Sequence, residues 1–214
     1  MIRKGAVTAS IFCLFTLFTI PSTGSANLQT ALAGHLEYSI PGTVLGRLGH
    51  APKAIYISKS NRTLTLMEYG RHVKTFPVAI GRTPEGPKER LGDGKTPEGL
   101  YHITAHHPNS RFYKALKIGY PNVDDAERGL RQGLITPGQA RAIRNAHGAR
   151  QAPPQNTNLG RYIEIHGGYQ LARTEPGERP WIYASTDGCI AVTNEMMDEI
   201  SRWTPVGAPV LIAA

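Results

Sequence analysis

From residue 54 onward, short runs of alternating apolar and polar positions are bounded by turn residues, the period-two signature of strands. Ala54-Ile55-Tyr56-Ile57 is the first run, and Ser60-Asn61-Arg62 turns it. Thr63-Leu64-Thr65-Leu66-Met67 then places Leu64 and Leu66 on one face and Thr63 and Thr65 on the other. Tyr69-Gly70-Arg71 makes a second turn, and residues 73–80 return as a third strand. Further strands are expected at 100–104, 161–166, 190–193 and 206–213. In the 161–166 run Tyr162, Glu164 and His166 share one face, Ile163 and Ile165 the other, and Gly167-Gly168 ends it. The period changes to helical in two places. Thr136-Pro137 starts a helix with proline at its first position, followed by an apolar stripe of Ala140, Ile143 and Ala146. Asn194 can cap a second helix that buries Met196, Met197, Ile200 and Trp203. Residues 81–99 are dense in Gly and Pro and read as a long functional loop. Residues 107–127 read as irregular, with a turn at Tyr120-Pro121-Asn122, and 27–52 read as a partly flexible lead-in. The expected fold is mainly β with short helical additions: one domain over 53–213, carrying a helical insert at about 128–155.

The first 26 residues stand apart. Arg3 and Lys4 precede an apolar run from Ala6 to Ile20, and Pro21 breaks it. Gly24 and Ala26 then occupy the −3 and −1 positions of a cut before Asn27. This order is that of a secretory signal peptide, and the run is shorter than the roughly 20 residues a spanning helix needs. An uncleaved anchor or a buried helix are the alternatives. No later stretch is long and apolar enough to span a membrane. Residues 27–214 carry 22 Lys and Arg against 16 Asp and Glu, a basic balance that favours anionic polymers. The basic residues are scattered, with one loose concentration at 128–150, and form no aromatic-interleaved stripe, so nucleic acid is not an expected partner.

Export changes the meaning of the cysteines. Cys13 lies in the signal, so after cleavage Cys189 has no intramolecular disulfide partner. A lone thiol in an oxidising compartment points to a nucleophile. It sits in Ser185-Thr186-Asp187-Gly188-Cys189-Ile190, where the preceding glycine lets backbone N–H groups approach a substrate carbonyl. A cysteine nucleophile needs a base and oxyanion donors, and His166, at a strand end before Gly167-Gly168, is the base candidate. A catalytic thiol is expected to have a depressed pKa. An unreactive thiol would favour a non-catalytic wall-binding module.

Ile165-His166-Gly167 followed by Thr186-Asp187-Gly188-Cys189-Ile190 resembles the signature of the L,D-transpeptidase catalytic domain, the YkuD-like family of cell-wall enzymes. Thr96-Pro97-Glu98-Gly99-Leu100-Tyr101-His102-Ile103 resembles the family's strand entry, and the resemblance spans roughly 53–213. It implies a β-sandwich or barrel-like catalytic domain. It implies Cys189 as acyl-accepting nucleophile, His166 as general base, the Gly167 carbonyl as the group orienting the imidazole, Gly188 and Cys189 N–H groups in the oxyanion hole, and Thr186 and Asp187 in the supporting loop. The implied substrate is a peptidoglycan stem tetrapeptide, cut before its terminal D-alanine. The acyl group then passes to an amine of a neighbouring stem or a wall-anchored protein. With water as acceptor the same site is a carboxypeptidase or endopeptidase. The implied location is the periplasm or cell wall, and no cofactor is implied. Three departures stand out. Asp187 occupies a position where the family often has His or Lys, and Ala191 one where it often has Arg. The spacing from His166 to Cys189 is 23 positions, longer than usual. Arg111, Arg161 or Arg173 are candidates to replace the missing cation, with Tyr120 a further substrate-binding candidate. His102, His106, His107 and His147 form the competing metal-ligand set, but no His-Glu-x-x-His or paired-cysteine motif accompanies them, and no metal is expected.

Overall fold

The alternating run after Pro52 forms β1 (Ala54–Ser58), β2 (Thr63–Glu68) and β3 (Arg71–Pro77) in a computed structural model of the chain. The structure describes residues 42–49, 51–170 and 185–214. The remaining strands are β4 (Gly99–Ser110), β5 (Tyr113–Ile118), β6 (Glu164–Tyr169), β7 (Ile190–Thr193) and β8 (Pro209–Ala213). The helices are α1 (Gly42–Leu48), α2 (Val123–Arg131), α3 (Pro137–Gly148) and α4 (Asn194–Trp203). The strands make one mixed sheet in the order β3-β2-β1-β8-β4-β5-β6-β7. β4 joins its two halves: Gly99 to His102 pair with β8, whereas Ile103 to Ser110 pair with β5. The far edges then meet. Residues just after β3 run back along β7, where Ala79 and Ala191 exchange both backbone hydrogen bonds at 2.9 Å. That contact gives the sheet its barrel-like closure, and it places the loop before β7 against residues 80–82.

Period-two alternation supplies the core. Ile55, Ile57, Leu64, Leu66, Ile165 and Ile190 belong to one buried cluster that draws on both halves of the sheet. β1 is buried on both faces, because Tyr56 joins Leu48 of α1 in a second cluster on the other side. The lead-in is therefore structured where it meets the sheet. The rest of that segment, and the expected signal over 1–26, lie outside the described residues.

Residues 107–127 are not irregular. β4 runs on to Ser110, β5 follows, and α2 begins after Asn122. Lys114 and Lys117 interrupt the apolar pattern of β5, and Asp124 and Asp125 that of α2, so neither announces itself by periodicity. The α2 signal is its cap. The Asn122 side chain accepts from Asp125 N at 2.9 Å while Asp125 Oδ2 accepts from Asn122 N at 3.0 Å, a reciprocal capping box. Asp125 is buried, and its carboxylate also accepts from Tyr101 and Arg128. α3 starts as its sequence indicates, capped by Thr136, with Ala140 and Ile143 buried. The expected strand at 161–166 is displaced. Tyr162 has φ +55°, which breaks extended structure, so β6 starts at Glu164 and continues through Gly167 and Gly168. The N-cap of α4 is Thr193 rather than Asn194, and the Asn194 side chain instead accepts from Gly168 N at 2.8 Å. The last strand begins at Pro209, three residues later than its pattern suggests.

Candidate active site

β6 and β7 run parallel with Ile165 beside Ile190 and His166 beside Ala191. Ile165 and Ile190 point into the core, so Glu164 and His166 face the other way. One step back along the register, Cys189 falls beside Glu164 and diagonal to His166 on that same face. Strand spacing alone thus brings a thiol, an imidazole and a carboxylate together.

The loop carrying Cys189 is fixed from several sides. Thr186 N donates to Ile80 O and Arg82 N to Thr186 O, both at 2.9 Å. The Thr186 hydroxyl donates to Cys189 O at 2.7 Å and accepts from Gly188 N at 3.0 Å. Gly188 has φ +126°, and a Cβ there would lie 2.5 Å from the Lys95 carbonyl oxygen. Only glycine fits. Lys95 belongs to the Gly- and Pro-rich loop of 81–99, which is anchored by two buried lysines. Lys59 Nζ donates to Gly86 O, Thr96 O and Glu98 Oε1, and Lys88 Nζ donates to Arg90 O and Asp93 Oδ1. Burial opposes ionisation of Asp93, yet donors from Arg90, Lys88, Glu89 and Lys95 hold its carboxyl below the usual range. The loop is a rigid buttress under Gly188. The Gly188 N–H, expected in the oxyanion hole, is already engaged by Thr186.

His166 is almost fully buried. Its Nδ1 lies 2.7 Å from the Gly167 carbonyl, which can only accept, so Nδ1 carries the proton and Nε2 keeps its lone pair. The ring stacks on Phe112 at 4.4 Å between centroids, with Tyr169 edge-on at 5.8 Å. Burial pushes the imidazole below its ordinary pKa, outweighing the Gly167 carbonyl and the Glu164 carboxylate, which act the other way. Cys189 is partly exposed, and its Sγ donates to the Tyr162 carbonyl at 3.4 Å. Burial pushes this thiol up to about 11, the opposite of the depressed value expected from sequence. The Glu164 N–H opposes that rise and the Glu164 carboxylate adds to it. Both shifts favour a neutral thiol and a neutral imidazole over an ion pair at rest. Alkylation of Cys189 by iodoacetamide, followed by peptide mapping, is expected to be slow at pH 7 and to climb towards pH 11. A midpoint below about 8 contradicts this electrostatic picture.

Cys189 and His166 line one cavity of about 730 Å³, together with Arg111, Asp187, Thr186 and Glu164. The other substrate-binding candidates fall elsewhere. Tyr120 is fully buried and its hydroxyl donates to Leu159 O at 2.7 Å, so it is a core residue and not a substrate contact. Arg161 lies outside the lining, its guanidinium over the Tyr162 ring at 5.7 Å, and Arg173 lies outside the described residues. Asp187 is exposed and paired with Arg82. Ala191 is fully buried against Ala79, beside Tyr169. Among the described residues, the lysines and arginines on the cavity wall are Arg82, Arg111 and Lys117. Arg82 and Lys117 were not legible as site residues, since neither belongs to a motif; nor was Glu164, whose place on the His166 face was the only signal.

The four histidines of the competing metal-ligand set do not converge on one site. His106 Nε2 donates to Thr204 O at 2.8 Å, and His107 lies beside Glu164. His147 Nε2 donates to Gly119 O and Pro121 O and meets the His102 ring edge-on. Among the described residues no group of three or more His, Cys, Asp or Glu is placed to hold a metal ion. A second cavity of about 710 Å³ contains His102 and His147 but no cysteine, serine or threonine among the described residues. Among the described residues no helix is long and apolar enough to cross a membrane.

The chain belongs to the YkuD family, the L,D-transpeptidase catalytic domain, whose description matches residues 52–212. It is 30% identical over 186 residues to YafK of Escherichia coli (strain K12), a match covering 84% of this chain and 55% of that protein. The chain thus spans about half the length of the curated relatives it matches. Among solved structures it is similar to the helical cell shape determining protein Pgp2 (K307A mutant) of Campylobacter jejuni. That match has 20% identity and a TM-score of 0.48, covering 78% of this chain and 52% of the other. It is also similar to Bd1075 of Bdellovibrio bacteriovorus, at 20% identity and a TM-score of 0.46, covering 77% and 48%.

Proposed function

We propose that this protein is a peptidoglycan L,D-transpeptidase with Cys189 as its nucleophile and His166 as its general base. The observation that carries the reading is the placement of both groups on one face of the β6–β7 pair and in one cavity, with Nδ1 of His166 tied to Gly167 O. That tie aims the free Nε2 lone pair at proton transfer.

The chemistry follows from the neutral resting pair. As Sγ attacks the carbonyl that precedes the terminal D-alanine of a stem tetrapeptide, Nε2 takes the thiol proton. The charge that develops on oxygen falls to the Cys189 N–H, since the Gly188 N–H is occupied. Collapse breaks the C–N bond, and His166 returns its proton to the departing D-alanine. The result is a thioester on Cys189. An amine of a neighbouring stem or of a wall-anchored protein then attacks that thioester. The amide forms, and Sγ leaves and regains a proton through His166. Arg111, on the cavity wall, is suited to a carboxylate of the stem. The Thr186 and Gly188 contacts hold the nucleophile in place, and the Asp187–Arg82 pair sits at the rim. This function places the protein outside the cytoplasmic membrane, in the periplasm or cell wall, in keeping with the signal-like pattern of residues 1–26.

Disaccharide-tetrapeptide incubated with purified protein and read by mass spectrometry is expected to give a crosslinked dimer with release of D-alanine. Tripeptide alone means that water is the acceptor and the protein is a carboxypeptidase. Neither product, with the protein folded, rejects the catalytic reading in favour of a wall-binding module.

A further inference from the structure

The mechanism above leaves one cavity carboxylate without a task. Glu164 lies on the Cys189 face of β6, two residues before His166, and its side chain is only 12% exposed. The other carboxylate on the described lining, Asp187, is held by Arg82 at the rim. Glu164 has no Lys or Arg ion pair among the described residues. Its Oε1 lies 3.5 Å from Nδ1 of His107, a ring nitrogen that is buried without a hydrogen-bond partner. The Glu164 carboxylate adds to the raised thiol of Cys189 against the opposing pull of the Glu164 N–H, and it also raises the His166 imidazole. Its effects on the thiol and on the base oppose one another, so forming the nucleophile does not account for its place.

We propose that Glu164, backed by His107, is the subsite for the primary ammonium group of the acyl acceptor, and that it biases the Cys189 thioester towards amines over water. This rests on the reading of Cys189 as an acyl carrier. Whatever attacks the thioester must come within reach of His166 Nε2, because that group handles the second proton of the amine. Glu164 is the carboxylate on the same strand face next to it, so an amine presented to His166 lies beside Glu164. On the other flank of Cys189 is the segment of 78–82, which offers a cation, Arg82. Lys117, the β5 neighbour of Glu164 in register, and Arg111 also line the cavity, so among the described lining residues Glu164 is the one carboxylate not held by an arginine and the one that can attract an ammonium. The balance is simple. The bound ammonium loses one proton to the Glu164–His107 pair, which passes it to solvent. The neutral amine attacks the thioester carbon, the C–S bond breaks, and the remaining amine proton travels through His166 to Sγ. A carboxylate attracts a cationic ammonium more strongly than a neutral water, so it raises the effective concentration of the amine over that of water.

The test uses the full protein with two readouts. The first is the ratio of transfer to hydrolysis from tetrapeptide donor at a fixed concentration of a tripeptide acceptor bearing a free side-chain ammonium. Both products come from one thioester, so this ratio is independent of how fast the thioester forms. Glu164→Gln is expected to lower it at least tenfold, with partial recovery in Glu164→Asp. The second is calorimetric binding of the same tripeptide to Cys189→Ala, expected to weaken at least tenfold in the double variant with Glu164→Gln and when the side-chain amine is acetylated. A ratio within twofold of the parent, with donor kcat/KM reduced, overturns the proposal and assigns Glu164 to the donor side. Binding indifferent to Glu164→Gln overturns it as well. Binding that depends on Glu164 in a protein whose parent forms no thioester supports the ammonium subsite and rejects the nucleophile reading, so the two claims fail separately.

Discussion

Cys189→Ala is expected to reduce both transfer and hydrolysis by about 10⁴-fold or more, while the protein stays folded. No other thiol lines the cavity among the described residues, and no hydroxyl there stands diagonal to His166 as Cys189 does. The Thr186 hydroxyl is committed to Cys189 O and Gly188 N, so it cannot take over. The substitution removes a single sulfur whose hydrogen bond to Tyr162 O is long, at 3.4 Å, so stability is nearly untouched. Product formation by mass spectrometry, alongside a thermal melt, separates these two statements. An alanine variant that keeps more than about a tenth of parent activity would remove the thiol from the mechanism.

His166→Gln is expected to lower kcat/KM by about 10²–10⁴-fold, the usual worth of general acid–base catalysis. The thiol sits near 11, so at pH 7 it ionises only if something accepts its proton at the moment of attack. Nε2 is the group held ready for this, because Gly167 O claims Nδ1. The pH profile carries the sign. His166 acts as base when neutral, and burial lowers its pKa. The rate should therefore stay high below the ordinary histidine value of about 6.5 and fall only as pH drops through the lowered one. The parent should show a broad plateau from there into the alkaline range. The glutamine variant should lose that acid limb and rise with hydroxide as the thiol itself ionises. Stacking on Phe112 means that the variant also loosens the ring slot, so its melt must be recorded. A variant that is folded and has lost less than fivefold would deny His166 its role.

The sequence carried the strands whose side chains alternate between core and surface: β1, β2 and β7 are where the pattern puts them, because their apolar faces meet one core. It hid β5 and α2, whose lysines and aspartates are stabilised by partners distant in sequence, such as Tyr101 on Asp125 and Asp198 on Lys114. Cys189 and His166 were legible from a local motif, and parallel pairing of β6 with β7 supplies the juxtaposition that a linear motif can only suggest. Tyr120 was misjudged because aromatic exposure depends on packing, and this ring is interior. The thiol pKa was reversed for the same reason, since burial has no signature in a single residue's neighbours along the chain. Ala191 shows the converse. Read as a missing cation, it is a fully buried small residue where the segment after β3 closes on β7.

The central claim is that Cys189 accepts an acyl group, and intact-mass spectrometry of the protein quenched in acid during turnover tests it most directly. With stem tetrapeptide, the account predicts an adduct equal to the tetrapeptide minus D-alanine, mapped by digestion to the peptide containing Cys189 and absent from Cys189→Ala. Turnover without any adduct on that peptide, or an adduct that survives in the alanine variant, would contradict it.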